Sequence, residues 1–327
     1  MRSSVLQDLQ RFGPDRCEPV SYPEASVYVR GLVRTQYENF TVASRLLPRR
    51  CREDLAGVYA FCRWADDLAD ETGDADHSRD LLAWWRGELE DCYRGRVRHP
   101  VFVALEPTIR RHDIPMQPFA SLIEAFERDQ ATRRWDTWEQ LLDYCRGSAN
   151  PVGHLVLYVL GYRDPRRQGL ADRTCTALQL TNFWQDVRRD LLERDRIYVP
   201  AKILAANELS QSDLVEHVRG RRMLDAAQRV RWAGVMRELV ERTAPLFAQG
   251  RELWPLVSAR LRISLRLFTL GGEAVAAGIQ RLGFDTLDRR PTVGRAAKGL
   301  LLARSLAAEA GLVRAAGPRG AVAEDPA

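Results

Sequence analysis

The sequence predicts an all-α, single-domain protein, on three observations. Apolar residues recur at helical spacing, as in the face formed by Trp232, Met236, Leu239 and Thr243. Alternating strand patterns and hairpin dipeptides are nearly absent. Neither a fixed-period repeat nor a linker divides the 327 residues, a length able to bury a large core.

Residues 1–22 mix Gly, Pro and charges without periodicity and are expected to form a loose arm. A helix runs from Tyr22-Pro23 to Arg34, and Pro48 precedes the next, from about Arg52 to Glu71, which Gly73-Asp74 ends. Leu81-Leu82, Trp84-Trp85 and Leu89 suit a helix closed by Gly95. Two more cover about Pro100 to Arg111 and Pro118 to Asp129, with Ile114-Pro115 breaking the chain between them. Trp135 to Leu160 is apolar but is expected to kink at Asn150-Pro151. After a polar loop from Gly161 to Gly169, a helix spans about Leu170 to Leu192, and Ile197-Tyr-Val-Pro200 leaves it in extended form. One long helix is expected over about Ser212 to Gln249, then two over Pro255 to Leu282 and Thr292 to Ala308. The structured unit thus covers 23–310, and the small, polar 311–327 tail is expected to be disordered.

Hydrophobic residues at 45% and charged residues at 28% fit a soluble globular chain. The net charge, 49 − 44 = +5, suits acidic ligands or anionic lipid, and no nucleic-acid partner is expected. Six scattered cysteines without a Cys-x-x-Cys pair read as reduced thiols in a cytoplasmic protein. No signal-peptide pattern opens the chain, and runs such as Leu155 to Leu160 are too short to span a bilayer. Loose peripheral contact with a membrane stays compatible with this composition. The five histidines lack ligand spacing and read as structural or surface residues.

Two acidic ladders carry the chemistry. In Tyr59-Ala-Phe-Cys-Arg-Trp-Ala-Asp-Asp-Leu-Ala-Asp-Glu71, Asp66 and Asp70 share one helix face, with Asp67 beside them and Arg63 one turn earlier. In Gln179-Leu-Thr-Asn-Phe-Trp-Gln-Asp-Val-Arg-Arg-Asp190, Asn182, Asp186 and Asp190 stand at i, i+4 and i+8. Charged helix residues are usually a solvated face, but both ladders are embedded among Phe and Trp, where carboxylates are costly unless paired or metal-bound. Two such rows facing each other would repel unless hard divalent cations sat between them. Mg²⁺ accepts carboxylate, water and phosphate oxygens, so this pattern suits ions bridged by a diphosphate, with arginines such as Arg63, Arg49 or Arg50 nearby. No Gly-x-Gly-x-x-Gly fingerprint for a nicotinamide is visible.

The two acidic motifs, their separation and the closing Arg196-Ile-Tyr-Val-Pro200 resemble the squalene/phytoene synthase family. Tyr144-Cys-Arg-Gly-Ser-Ala-Asn-Pro-Val-Gly153 is similar to a further segment of that family. More narrowly, Tyr37-Glu-Asn-Phe-Thr-Val-Ala-Ser-Arg-Leu-Leu-Pro-Arg-Arg50 and Asn182-Phe-Trp-Gln-Asp186 resemble the bacterial hydroxysqualene synthases of hopanoid biosynthesis. The resemblance covers roughly 25–300. It implies the isoprenoid synthase fold, a helical bundle around a central cavity, and Mg²⁺-assisted ionisation of a prenyl diphosphate. In that branch presqualene diphosphate loses diphosphate and water captures the rearranged cation. The resemblance assigns Asp66, Asp67, Asp70, Asn182, Asp186 and Asp190 to metal or diphosphate, Arg63, Gln179, Asn39 and Phe40 to substrate, and Tyr144 to the reacting carbons.

Departures from the broader family pattern point to the hydroxylating branch. Asn39 stands where a Ser is common, Gln185 where an Arg precedes the motif Asp, and Ser148 and Asn150 where Val and Gly are usual. Capturing a cation with water requires hydrogen-bonding groups that hold one water. Tyr144, Ser148 and Asn150 share a helical stretch and are assigned to it, unless Asn150-Pro151 merely caps a broken helix and Ser148 packs quietly. Phe183, Trp184, Trp64 and Phe126 are tunnel lining or plain core. The alternatives are a synthase condensing two farnesyl or geranylgeranyl diphosphates, and a non-catalytic member acting as an assembly factor. Functional coupling to a presqualene diphosphate synthase would follow from the first reading.

Overall fold

The computed structural model describes residues 5–36 and 47–311. Among these there is no strand, only isolated bridges pairing Phe12 with Cys17 and Arg134 with Ile197. The first helices are α1 (Val5–Phe12), α2 (Tyr22–Gln36) and α3 (Arg49–Asp70). Then come α4 (Ala75–Tyr93), whose first turn Asp74 caps, α5 (Pro100–His112) and α6 (Gln117–Asp129). A capping box between Thr137 and Gln140 starts α7 (Trp138–Ser148), and α8 (Asn150–Val159) follows after a break at Ala149. Asp164 and Pro165 open α9 (Pro165–Gln185), which leads into α10 (Val187–Arg194). The rest is α11 (Ala201–Ala206), α12 (Gln211–Val218), α13 (Ala226–Gly250), a 3₁₀ turn (Arg251–Leu256), α14 (Ala259–Arg281) and α15 (Arg295–Glu309).

Two packed cores hold the two acidic helices. The first surrounds α3, which touches α2, α4, α5 and α6. There Trp64 stacks on Trp85 at 5.3 Å and Phe61 meets Phe119 edge-on at 4.8 Å, all four rings fully buried. Rings of this size bury large apolar areas, so α3 is fixed by the face opposite its carboxylates. The second core surrounds α9, which packs on α13, α14 and α8. Buried Trp184 donates its Nε1–H to Thr243 Oγ1 at 3.0 Å, which locks the rotation of α9 against α13. Close approach needs glycine at two points. A Cβ on Gly153 would lie 2.7 Å from Cys175 Sγ, and one on Gly272 would lie 2.6 Å from Phe247 Cζ. Helix α8 touches both α3 and α9, and thus sets the spacing of the two acidic helices.

Four expected boundaries differ. The arm is not featureless: α1 buries Val5 and Phe12, and Tyr28 donates to Asp8 at 2.7 Å, tying the arm to α2. The second acidic helix begins at Pro165 and breaks at Asp186, whose φ of −107° and ψ of 17° leave the helical region. Side chains on either side of the break are tied to the 287–291 segment, Gln185 to the Pro291 carbonyl and Arg188 to the Leu287 carbonyl. The expected helix over Ser212 to Gln249 is two, separated where Gly220 takes a φ of 71° and Asp225 caps α13. Tyr144 and Ser148 belong to α7 but Asn150 to α8, because the chain turns at Ala149 ahead of Pro151. All six cysteines are free, and the buried or half-buried histidines His99, His112, His154 and His217 sit in structural contacts.

Candidate active site

The first ladder occupies the last turns of α3. Arg63 lies along it, paired with Asp67, with Asp66 at 3.4 Å and with Glu71 at 3.3 Å. Burial pushes the Asp67 carboxyl up to about 7 despite Arg63. Its Oδ2 is buried without a hydrogen-bond partner. Asp66 is raised to about 6 by enclosure and then by Asp70. Its side chain keeps 41% of its exposure, however, so solvent offsets part of that rise.

The second ladder straddles the α9–α10 break. Asn182 is exposed, Asp186 half-buried and Asp190 buried. Burial, then the neighbouring Asp186 charge, pushes Asp190 up to about 7. Gln179 is half-buried one turn before Asn182.

The two ladders meet through arginines. Arg194 of α10 donates from Nε to Asp70 Oδ2 at 2.7 Å, and its Nη1 lies 3.6 Å from Asp190. Arg196 donates to Asp70 Oδ1 at 3.0 Å and reaches Asp129 at 3.7 Å. Asp70 and Asp190 therefore share one guanidinium, placing the C-terminal end of α3 beside α10. Arg290 closes on Asp186, with Nη2 to Oδ2 at 3.1 Å. In each case an arginine occupies acidic oxygens that would otherwise repel one another.

An aromatic wall adjoins this acid–arginine cluster. Phe183 stacks on Tyr198 at 3.6 Å, and Tyr198 on Trp135 at 4.5 Å. Tyr144 lies 5.2 Å from Trp135 and 6.1 Å from Phe183. The exit strand-like segment is held by Ile197 N–H to the Arg133 carbonyl at 3.0 Å, which is how Tyr198 reaches the wall. Tyr144 donates its hydroxyl to Asp129 Oδ2 at 2.8 Å. Burial pushes Asp129 up to about 7, against the opposing pull of Arg196, and its Oδ1 has no partner.

Other expected residues sit as follows. Ser148 donates to the Tyr144 carbonyl at 3.0 Å, and buried Asn150 accepts from Thr176 at 2.9 Å across the α8–α9 contact. Asn39 and Phe40 lie outside the described residues. Trp64 is plain core, and Arg49 is an exposed partner of Glu53. Asp129, Arg194 and Arg290 were not singled out from sequence, and Tyr198 stood there only within the Arg196-Ile-Tyr-Val-Pro200 motif, without a role. Their signal was weak because a single Asp at a helix end and scattered arginines look like ordinary surface until the fold joins them. A crevice of about 190 Å³ opens behind α9, between α13 and α14, floored by Trp184 and Phe247. It lies around the helix from Asn182 and Asp186 and holds none of the acidic ladder.

The donor set suits a hard cation. Among the described residues no three acidic, His or Cys side chains converge into a ready coordination sphere. The unpartnered Oδ2 of Asp67 and the raised Asp190 mark uncompensated acidity of the kind a cation relieves.

Comparison with known proteins decides the family: its squalene/phytoene synthase model matches residues 33–297. The chain belongs to the squalene/phytoene synthase family. A phytoene synthase from Thermus thermophilus is 30% identical over 85% of this chain and 91% of its own. A hydroxysqualene synthase from Zymomonas mobilis is 36% identical over 55% of this chain, a match spanning 60% of that protein. Among solved structures, squalene synthase HpnC from Alicyclobacillus acidocaldarius superposes with a TM-score of 0.73 and 42% identity, covering 82% of this chain and 97% of that one. A dehydrosqualene synthase at 23% identity shares the fold, with a TM-score of 0.77. The isoprenoid synthase fold expected from the sequence is therefore the fold of this family member.

Proposed function

We propose that this chain is a Mg²⁺-dependent hydroxysqualene synthase, converting presqualene diphosphate and water into hydroxysqualene and diphosphate. The observation that carries the reading is the junction of the two acidic helices, where Asp70 and Asp190 share Arg194. Beside it stands an aromatic surface with a single buried hydroxyl–carboxylate pair, Tyr144 and Asp129. The similarity to several hydroxysqualene synthases supports the hydroxylating branch.

Asp66, Asp67 and Asp70 of the first ladder and Asn182, Asp186 and Asp190 of the second would hold Mg²⁺. When bound it would neutralise the departing diphosphate. Arg63 and Gln179 contact the diphosphate end, and Arg194 trades carboxylate oxygens for phosphate oxygens as it arrives while buried Arg196 stays on Asp70 and Asp129. The faces of Phe183, Tyr198 and Trp135 stabilise the carbocation. Tyr144, oriented by Asp129, positions the water, with Asn150 and Ser148 completing the polar side of the pocket. As the water oxygen bonds to the cationic carbon, its proton passes to Asp129, whose raised affinity suits it as acceptor.

A second reading, a synthase condensing two farnesyl or geranylgeranyl diphosphates, is supported by the similarity to phytoene synthases along most of their length. A non-catalytic role fits poorly with two intact acidic ladders. The deciding experiment incubates the protein separately with presqualene, farnesyl and geranylgeranyl diphosphates, with Mg²⁺ and with excess chelator, and identifies the products by mass spectrometry. Conversion of presqualene diphosphate to hydroxysqualene supports the proposal. Consumption of farnesyl diphosphate with presqualene diphosphate untouched overturns it. No described helix is long and apolar enough to cross a membrane. A peripheral membrane contact, like handover from a presqualene diphosphate synthase, suits the greasy substrate and product and belongs to this proposal.

A further inference from the structure

The segment linking α14 to α15 is fastened across the second acidic motif at fixed points. Leu287 is buried in the second core. Asp288 is held by His217 at 3.0 Å and Arg229 at 2.6 Å. Three residues on, buried Pro291 rests beside Gly278, where an added Cβ would come within 3.1 Å of its ring. Its carbonyl accepts from Gln185 Nε2 at 2.6 Å. Arg290 stands between these anchors, half-exposed, with its guanidinium on both oxygens of Asp186. A long cationic side chain is thus presented by a rigid backbone to one end of the proposed diphosphate site, while its neighbour Arg289 points to Asp285 at the surface.

We propose that Arg290 is a positioning residue for the diphosphate: it is the counter-ion of Asp186 in the empty protein and turns to phosphate oxygens when ligand enters. Gln185 sets its reach by holding the Pro291 carbonyl. The proposal rests on the diphosphate reading above but not on which hydrocarbon the diphosphate carries. Holding the guanidinium on a fixed backbone reduces the ordering cost of each new contact, and its fork matches phosphate oxygens.

The test measures binding of inorganic pyrophosphate with MgCl₂ by calorimetry, alongside thermal melting of the unliganded protein, for Arg290→Ala, Arg290→Lys, Arg289→Ala and Gln185→Arg/Arg290→Ala. Losing a charge-assisted bidentate contact weakens binding roughly ten- to hundredfold. Arg290→Ala should show that loss, Arg290→Lys a part of it and Arg289→Ala none. Gln185→Arg/Arg290→Ala should recover binding, because position 185 adjoins Asp186 and reaches the same carbonyl. Arg290→Ala should also lower the melting temperature without ligand, since Asp186 loses its partner, and added Mg²⁺ should restore it. Unchanged pyrophosphate affinity in a folded Arg290→Ala overturns the proposal. An equal loss in Arg289→Ala overturns it too, because the effect would then be general positive charge. If pyrophosphate binds none of the variants nor the parent, the diphosphate reading itself fails.

Discussion

Tyr144→Phe isolates the group proposed to hold the capturing water. The phenol donates to Asp129 at 2.8 Å, both residues are buried, and Asp129 has one unpartnered oxygen and one cation, Arg196, at 3.7 Å. A hydrogen bond to a charged acceptor contributes about 1.5–3 kcal/mol. Asp129 is raised to about 7 and so is only partly ionised near neutrality, which places the expected loss of stability toward the lower end, about 1–2 kcal/mol. Asp129→Asn keeps an oxygen toward Tyr144 but weakens the hold on Arg196, so its cost should be similar. Because the side chains touch, the double variant should cost less than the sum, with a coupling of about 0.5–1.5 kcal/mol. The functional arm is independent of these stabilities. With presqualene diphosphate as substrate, Tyr144→Phe should divert product from hydroxysqualene toward hydrocarbons formed by proton loss, while total substrate consumption falls less. Denaturant melts at neutral pH read the first arm, and product ratios by mass spectrometry the second. Additive single and double variants would refute the pairing. A hydroxysqualene fraction unchanged in Tyr144→Phe would refute the water site.

Asp190→Asn should lower turnover by about a hundredfold or more if Asp190 helps hold the cations that assist diphosphate departure; the rate at saturating Mg²⁺ reads it. The same change should leave the fold intact, because a buried charge near others is being removed. For pH, Asp67 and Asp190 are both buried and both raised to about 7. Their folded forms bind protons more tightly than the unfolded chain, so without metal stability should fall as pH rises from about 4 to about 7 and level off above. Mg²⁺ with pyrophosphate should raise the melting temperature more at pH 8 than at pH 5.5, and scanning calorimetry at the two values checks it. Gly153→Ala should cost about 1–3 kcal/mol through the clash with Cys175, whereas Gly153→Ala with Cys175→Ala should regain most of it, read by melting temperature.

Legibility from sequence followed the range of the interactions. Helix content and the break near Asn150-Pro151 were readable because periodicity and proline act within one or two turns. The acidic ladders were readable for the same reason: Asp66 and Asp70 advertise one face by spacing alone. The bend at Asp186 was not, since it is tied to the 287–291 segment a hundred positions away along the chain. Nor was the helix in the N-terminal arm, where Val5 and Phe12 gain their burial from distant partners. Gly220 and the Asp225–Gln228 capping box were local signals over 212–249 that the apolar periodicity masked. Asp129 and Arg290 are the clearest cases at the site. Each is an unremarkable charge in its own segment, and each acquires a role only through Tyr144 or Asp186.

The arginines explain how the fold tolerates the acidic ladders without metal, and how the proposed cation and diphosphate would enter. Asp66, Asp67, Asp70, Asp186 and Asp190 concentrate negative charge where the two acidic helices meet, which by itself would oppose folding. Arg63, Arg194, Arg196 and Arg290 offset it through ion pairs, of which those of Arg194 and Arg290 are the more exposed. Guanidinium pairs at partly exposed positions contribute little net stability, so exchanging them for phosphate is inexpensive. Arg196 is the exception, being buried between Asp70 and Asp129. Removing Arg196 itself would leave buried carboxylate charge uncompensated, at a typical cost of about 3–5 kcal/mol. Arg194 and Arg290 can therefore move when a diphosphate enters, while Arg196 holds the α3 end against the base of the aromatic wall and keeps Asp70 aligned with Asp129.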